Sequence, residues 1–220
     1  MKEMIKKFIV LIIILIVLPT TTADGLSYNN YDKFVTVNNG VINSYSVTEN
    51  ENLELRSDFE YHRSLITNDK SYQELYEQLI NFIKFHEGFC QTPYACPAGY
   101  LTIGYGHVIQ TGESFPDTIT KAYADSLLRK DLNSSIKMAE RLSPQLKGTK
   151  LLAIAHFCFA KGPGNYERST LRKLINSNQD PTEEFRKWCK YKSAKTGEIV
   201  TSQYSLNIRE YEIKLYNFTK

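Results

Sequence analysis

The sequence predicts a mostly helical α+β domain with a small β-sheet near its N-terminal end. Beyond about Ser71, apolar residues recur three or four apart in several segments, as they do on the buried face of a helix. Between Gly88 and about Thr111, glycine, proline and aromatic residues concentrate instead. That composition is typical of short strands joined by tight turns. Sheet structure is therefore expected in one short stretch of an otherwise helical domain.

The early helices are predicted from the spacing of their apolar residues. The first buries Leu75, Leu79 and Ile83, which recur four apart, and it stops at Gly88. Helical spacing returns over Thr120–Leu142, after the stretch predicted to form the sheet.

The second half of the chain is predicted to contain a central buried helix. Its sequence, KLLAIAHFCFA over Lys150–Ala160, is apolar on nearly every side. Four further features are predicted in order: a short helix over Ser169–Asn176, a helix start at Asp180-Pro181-Thr182-Glu183, a loop or turn over Lys195–Thr201, and a last helix with Ile208, Tyr211 and Leu215 on one face.

The first 23 residues have the pattern of an export signal. A lysine-rich start precedes eleven consecutive apolar residues, Phe8–Leu18, and Pro19 then breaks the helix. Thr21 and Ala23 place small residues at −3 and −1 of a cut before Asp24. Eleven apolar residues are short for a membrane span, which needs about 20, but suit a secretory signal. We expect residues 1–23 to be a cleaved signal peptide, with a retained inner-membrane anchor as the alternative.

Export would change both the net charge of the mature chain and the expected state of its cysteines. Removing residues 1–23 takes three lysines and one glutamate, so the formal charge falls from +3 to +1 and gives no support to nucleic-acid binding. A periplasmic or extracellular location is oxidising, so disulfides can persist there. The chain has four cysteines, which allow three pairings, and the sequence does not choose among them. They are Cys90, Cys96, Cys158 and Cys189.

Residues 24–70 are expected to form a partly ordered leader, and residues 71–220 the folded domain. The leader is rich in Asn, Ser, Tyr and acidic residues and shows no sustained apolar period. A hairpin over Val35–Val47 is the alternative, because Asn39-Gly40 favours the tight turn that joins paired strands.

Glu87 is the first candidate for chemistry. It lies at the C-terminal end of the first predicted helix, where the helix dipole disfavours negative charge. Phe85 and Phe89 flank it, and their bulk would keep water away. Both effects favour the protonated carboxyl, which a general acid needs near neutral pH.

The residues after Glu87 carry a recognisable pattern. Glu87 is followed after eight residues by Cys96 and after five more by Thr102, which opens the string TIGYGH ending at His107. This pattern resembles the phage-type lysozymes, or endolysins, of glycoside hydrolase family 24. The resemblance implies a lysozyme-like fold with a small sheet beside an active-site cleft. It also implies a secreted bacteriolytic hydrolase that cuts the β-1,4 bond between N-acetylmuramic acid and N-acetylglucosamine in peptidoglycan.

The resemblance implies a role for each residue of this pattern. Glu87, Cys96 and Thr102 take the catalytic positions, with the Thr102 hydroxyl suited to hold the attacking water. Substrate-binding positions are implied for three further residues, Tyr105, Gly106 and Arg209. The matching histidine, His107, is expected to tie the sheet to a neighbouring helix rather than to act in catalysis.

Cys96 stands where most family members carry aspartate. A thiol with a pKa near 8.5 is mostly protonated at neutral pH and is a poor general base unless its surroundings favour the thiolate. It can still orient a water or, as thiolate, stabilise positive charge. The alternative is that Cys96 forms a disulfide, for example with Cys90.

The resemblance covers about Glu74–Tyr216, with two departures. Ala160 replaces the asparagine of a Phe-Asn-x-Gly-like string, and Ile208 replaces the first arginine of an Arg-Arg-x-x-Glu-like string that here ends in Glu212. Arg209 remains as a candidate to position Glu87, with a solvated arginine on the helix face as the alternative. These departures, with Cys96, keep two alternatives open: a lytic transglycosylase on the same bond, or an inactive wall-binding homologue.

No cofactor or metal is expected. The four histidines, His62, His86, His107 and His156, do not pair with each other or with the cysteines at ligand spacing. The expected partner is bacterial peptidoglycan, with the protein acting as a monomer. Membrane contact is expected to be transient and to involve the N-terminal segment.

Overall fold

The computed structural model describes the backbone of residues 34–38, 41–45, 49–95, 100–192 and 198–218, and the side chains of 56–95, 100–190 and 198–218. The helices in these ranges are α1 (Glu49–Ser64), α2 (Tyr72–Glu87), α3 (Lys121–Leu142), α4 (Gly148–Lys161), α5 (Pro163–Arg168), α6 (Thr170–Asn176), α7 (Thr182–Lys187) and α8 (Gln203–Tyr216). The strands are β1 (Phe34–Asn38), β2 (Val41–Tyr45), β3 (Cys90–Ala95), β4 (Leu101–Gly104), β5 (His107–Val108), β6 (Lys190–Lys192) and β7 (Ile199–Thr201). The predicted α+β class, mostly helical with a small sheet, is confirmed.

Helix α2 is fixed at both ends by its local sequence. The Ser71 hydroxyl accepts a hydrogen bond from the Glu74 N–H, while the Glu74 carboxylate accepts one from the Ser71 N–H. Gly88 ends the helix with a φ of 69°, a conformation that glycine adopts without strain. One face of α2 is buried in the core, so Glu87 is held at its C-terminal end.

The sheet beside α2 is antiparallel, with β4 between β3 and β5. β4 buries Thr102 and Ile103, and the Ile103 side chain packs in a small cluster with residues of α3. Gly104 has a φ of +70°, and a Cβ added there would lie 3.1 Å from the Cβ of Ala124. The close approach of β4 to α3 therefore depends on glycine at this position.

Helix α4 is the centre of the main core. Its residues from Leu151 to Cys158 are all buried, as its apolar sequence predicted, and helices α2, α3 and α8 pack around it. Among these residues His156 is polar and has no exposed surface. A polar group in such an interior needs hydrogen-bond partners, and α2 and α8 supply them.

Helix α1 extends the core beyond the predicted domain start at residue 71. Phe59 is 1% exposed, and its ring centroid lies 4.9 Å from that of Tyr204 and 5.1 Å from that of Phe85. Ile66, in the following loop, belongs to the same core. The sequence of α1 shows no helical spacing of apolar residues, because most of its residues are polar. The helix was therefore not predicted. The division of the chain at residue 71 stays a prediction.

Two hairpins were not favoured by the sequence. β1 pairs with β2 from Phe34 opposite Tyr45 to Asn38 opposite Val41, which matches the alternative hairpin; its turn, Asn39-Gly40, lies outside the described residues. β7 pairs with β6, so the prediction of a loop was wrong for Ile199–Thr201. Strands of three residues are too short for alternation of side chains to be recognised.

Phe59→Ala should lower the free energy of unfolding by about 3–5 kcal/mol, because it leaves a cavity beneath α1. The matched control is Tyr61→Ala on the same helix, whose side chain is 60% exposed. Chemical denaturation monitored by circular dichroism measures both. Equal small losses in the two variants would mean that α1 does not contribute to the domain core.

Candidate active site

Glu87 and the β4–β5 turn meet at the end of α2. Gly106 lies in this turn with a φ of +84°, and a Cβ built on it would stand 3.1 Å from the Glu87 Oε2 atom. The two parts of the predicted motif, Glu87 and the TIGYGH string, are therefore in contact. Gly106 also has a physical reason to be glycine, since its φ is positive and an added Cβ would press against the carboxyl group.

The surroundings of Glu87 favour its protonated form. Burial raises the pKa of the Glu87 carboxyl to about 7, and the positive charge of Lys161 opposes this rise. The side chain keeps 24% of its surface exposed, so a substrate can still reach the carboxyl group. The site thus holds a carboxyl that carries a proton near neutral pH and can deliver it.

Thr102 lies in the middle strand of the sheet, opposite Tyr94 on β3 and Val108 on β5. The residue is 3% exposed, and its hydroxyl donates a hydrogen bond to the Tyr100 carbonyl, 3.2 Å away. The hydroxyl oxygen can still accept a hydrogen bond from a water.

Cys96 lies outside the described residues, so its catalytic role stays a prediction. Cys90, at the start of β3, is a free thiol that donates to the Thr92 carbonyl, so the alternative of a disulfide between Cys96 and Cys90 is corrected. Cys158 and Cys189 are free and buried.

Tyr105 precedes Gly106 in the β4–β5 turn and is half-buried. Its ring centroid lies 5.5 Å from that of Phe89, and the Lys84 Nζ atom stands 5.8 Å from the same ring. Lys84 in turn pairs with Asp125 of α3. Tyr105 therefore forms part of the surface next to Glu87, which is compatible with contact to a substrate.

His107 joins the sheet to α3. Its Nδ1 atom lies 2.7 Å from Asp131 Oδ2 and its Nε2 atom 2.9 Å from Glu113 Oε2. The hydrogen bond with Asp131 is the main reason that the pKa of His107 is raised. The expected tie between this histidine and a neighbouring helix is confirmed.

Arg209 does not reach the cleft. It is 1% exposed, its guanidinium carbon lies 5.2 Å from the centroid of the Phe157 ring, and its Nη2 atom is 3.1 Å from Glu212 Oε1. The predicted substrate-binding role is therefore corrected, because a polymer in the cleft cannot contact a side chain inside the core. A solvated position on the helix face is excluded for the same reason.

The structure brings together four polar side chains that the sequence analysis did not assign to the site. His86, His156 and Glu212 form a buried row behind Glu87, and Lys161 lies near enough to influence the pKa of both carboxyls. The sequence contained one indication of this buried row: His156 is an isolated polar residue within an apolar helix. His86 and His156 lie far apart in the chain, so no sequence spacing indicated that their rings would form a hydrogen bond.

The described ranges contain no group of three or more His, Cys, Asp or Glu side chains arranged to hold a metal ion. A search of the same residues also finds no helix that is both long and apolar enough to cross a membrane.

The comparisons with known proteins agree with this fold. The family model described as Phage lysozyme matches residues 84–204, more than half of the chain. An endolysin of Acyrthosiphon pisum secondary endosymbiont phage 1 is 33% identical over 125 residues, which is 53% of this chain and 80% of the relative. A SAR-endolysin of Bacteriophage PS34 is 34% identical over 110 residues, covering 46% of this chain and 62% of the relative.

A solved structure, the muramidase domain of SpmX from Asticaccaulis excentricus, resembles the fold with a TM-score of 0.57 at 24% identity. The likeness covers 64% of this chain and 95% of that domain. The chain belongs to the phage lysozyme family. Its fold class and its activity, hydrolysis of peptidoglycan by a lysozyme-type glycosidase, are those that the sequence predicted. The comparisons do not favour the lytic transglycosylase or the inactive homologue.

Gly106→Ala should lower lytic activity by about tenfold to a hundredfold, because the new methyl group displaces the Glu87 carboxyl from its working position. Gly112→Ala is the matched control: its φ of +90° imposes a similar backbone cost, but no atom lies within 4 Å of the added Cβ. Lysis rates of purified walls, corrected for folded fraction, measure the effect. Equal losses in both variants would assign the effect to backbone strain alone.

Proposed function

We propose that Glu87 is the general acid that protonates the glycosidic oxygen of the bond between N-acetylmuramic acid and N-acetylglucosamine. The single observation that carries this proposal is the position of the Glu87 carboxyl, which lies against Gly106 of the β4–β5 turn, is partly exposed and has a pKa that burial raises to about 7. Cleavage of a glycosidic bond needs such an acid on the side of the leaving oxygen. Membership in the phage lysozyme family supports the choice of substrate.

Thr102 and Cys96 act on the other side of the bond in this proposal. The Thr102 hydroxyl accepts a hydrogen bond from the attacking water and orients it toward the anomeric carbon. Cys96 takes the place of the usual aspartate, where a thiolate would balance the positive charge that develops on the sugar ring. The sequence spacing from Glu87 supports both roles.

Tyr105 and Gly106 form the wall of the cleft next to the acid. Tyr105 offers an aromatic face, and Gly106 leaves room for the carboxyl group to reach the glycosidic oxygen. We assign no substrate contact to Arg209, because it is buried.

The protein reaches its substrate by export in this proposal, with residues 1–23 as the signal. The matches to endolysins, one of them a SAR-endolysin, support passage across the membrane toward the wall. The enzyme then works on peptidoglycan as a monomer, without a nucleic-acid partner or a cofactor. Residues 1–23 lie outside the described part of the chain.

Glu87→Gln should reduce wall lysis by about 10²–10⁴-fold while the fold stays intact, because the amide keeps the size but has no proton to transfer. Glu140→Gln, a partly exposed glutamate on α3, serves as the control. Mass analysis of the released fragments should find reducing ends with the wild type. Activity of Glu87→Gln within tenfold of the wild type would contradict the assignment.

The pH dependence follows from the same group. Because the acid form of Glu87 is the active one, kcat/KM should fall as pH rises through about 7. A wild-type profile that stays flat from pH 6 to 9 would exclude Glu87 as the acid whose titration limits activity.

Cys96→Asp should retain or raise lytic activity, because an aspartate with a pKa near 3.9 is ionised at neutral pH and a thiol is mostly not. Because Cys90 is a free thiol, a mild reductant should leave the activity of both the wild type and the variant unchanged. Cys90→Ser is the control, since it removes the thiol of β3 and keeps Cys96. An inactive Cys96→Asp variant would show that this position is not that of the family's carboxylate.

The mature protein should begin near Asp24, because Thr21 and Ala23 occupy the −3 and −1 positions of a signal-peptide site. Mass spectrometry of the extracytoplasmic protein measures its N-terminus. Recovery of the protein with residues 1–23 attached would support the membrane-anchored alternative instead.

A further inference from the structure

A pocket of about 430 Å³ lies between the end of α1 and the last turns of α8, away from the site described above. The Tyr204 hydroxyl, in the first turn of α8, donates a hydrogen bond to the His86 carbonyl, next to Glu87. Lys214, which lines the pocket, lies ten residues further along the same helix. At 1.5 Å per residue, the α1–α8 pocket is about 15 Å along the helix from that contact.

The floor of the α1–α8 pocket is apolar. Ile66 and Ile213 are 4% and 7% exposed, and both belong to the main core. The Phe218 ring is partly buried and packs against the same core. Pockets that bind small molecules commonly combine such a floor with a few polar groups, in a volume of about 300–1,000 Å³. The α1–α8 pocket therefore has the size and the floor of a ligand site.

The charged side chains that line the pocket leave positive charge unpaired. Lys214 is exposed and makes no ion pair with the residues that the structure describes. Arg63, at the end of α1, has only a long ion pair with Glu60, 3.9 Å. Glu210 also lines the pocket, but its carboxylate is held by Arg186 at 2.7 Å. Two cationic side chains are therefore able to bind an anionic group.

Two asparagines add neutral polar groups to the pocket. The Asn217 amide nitrogen lies 3.4 Å from the Thr182 hydroxyl, to which it donates, so the Asn217 carbonyl oxygen can accept a further hydrogen bond. Asn68, in the loop after α1, is exposed and can donate or accept. The pocket thus offers donors for an anion and an acceptor for an N–H group.

The peptide stems of peptidoglycan have the chemistry that this combination recognises. Each stem carries free carboxylates, peptide N–H groups and the methyl side chains of alanine. Arg63 and Lys214 can donate charge-assisted hydrogen bonds to a carboxylate. A peptide N–H can donate to the Asn217 oxygen, and alanine methyl groups are small enough to rest on the apolar floor.

We propose that the α1–α8 pocket is a second wall-binding site, which takes the carboxylate-bearing peptide stems of peptidoglycan. The proposal rests on peptidoglycan being the substrate, and it does not depend on which residue donates the proton in the cleft. In it, Lys214 and Arg63 bind the carboxylate, and the apolar floor selects a peptide over a simple anion.

A second contact with the wall would act on retention. When the cleft holds one stretch of the polymer, the pocket meets neighbouring stems at an effective concentration that reaches the millimolar range for short flexible links. A site that binds a single stem with a Kd of about 1 mM is then occupied for much of the time. The enzyme would therefore stay on the wall between cleavages, although the pocket binds each stem weakly.

Titration of the wild type with an N-acetylated stem tetrapeptide tests the proposal directly. The peptide has no glycosidic bond, so it is not cleaved, and amide NMR locates where it binds. We expect saturable shift changes at Asn68, Lys214 and Asn217. Inorganic phosphate at the same concentration supplies negative charge without peptide groups and should leave these amides nearly unshifted. Equal shifts with phosphate, or peptide shifts confined to Tyr105 and Gly106 in the cleft, would overturn the proposal.

Lys214→Glu should weaken binding of the tetrapeptide about tenfold or more, because it replaces a donor to the carboxylate by a like charge. Lys173→Glu is the matched control: Lys173 is also exposed, also lies in the last turn of its helix, and does not line the pocket. The same amide titration measures both variants. Equal affinities in the two variants would show that Lys214 does not bind the peptide.

Lysis of purified walls supplies the functional readout. Lys214→Glu should raise the KM for walls about threefold to tenfold, because the second contact with the polymer is lost, whereas Lys173→Glu should behave as the wild type. A loss that appears in kcat and not in KM would place the effect of Lys214 in the chemistry or the fold and would contradict a wall-binding role.

This proposal and the assignment of the acid fail separately. If the pocket amides do not respond to the tetrapeptide, the second site is removed and Glu87 stays the acid. If Glu87→Gln is active, the assignment of the acid is removed, and peptide binding in the pocket is unaffected because the titration involves no cleavage.

Discussion

An ionisable group in an apolar interior must lose its charge or find a partner, and the site described here depends on that constraint. Helix α4 is buried from Leu151 to Cys158, yet it carries His156 within that stretch. The imidazole meets its need for partners by joining α2 through His86 and α8 through Glu212. The same contacts that satisfy a buried polar group thus tie the helix that ends in Glu87 to the centre of the fold.

A second set of contacts holds the sheet against the helices. His107 on β5 pairs with Asp131 on α3, and Gly104 allows β4 to approach Ala124 on the same helix. The β4–β5 turn then places Gly106 against the Glu87 carboxyl. The acid is therefore confined by two independently anchored elements, one helical and one extended, which is why glycine is favoured where they meet.

Local signals in the sequence predicted much of this arrangement. The apolar spacing of α2 and the stop at Gly88 predicted the helix that presents Glu87, and the TIGYGH string identified the turn that meets it. Contacts between distant residues had no such signal. His86 meets His156 on α4, Arg209 packs on the Phe157 ring of α4, and α1 buries Phe59 without an apolar period. Such pairings depend on how helices pack, which one sequence does not record.

The burial of two cysteines has a consequence for the order in which the protein folds and meets oxidants. Burial raises the pKa of the Cys158 thiol to about 12 and also raises that of Cys189, so neither forms a thiolate readily once the core has closed. Cys90 is half-buried and remains the more accessible thiol of the three. A chain that folds quickly after export protects its core thiols kinetically, whereas a slowly folding chain would risk trapping them in non-native disulfides.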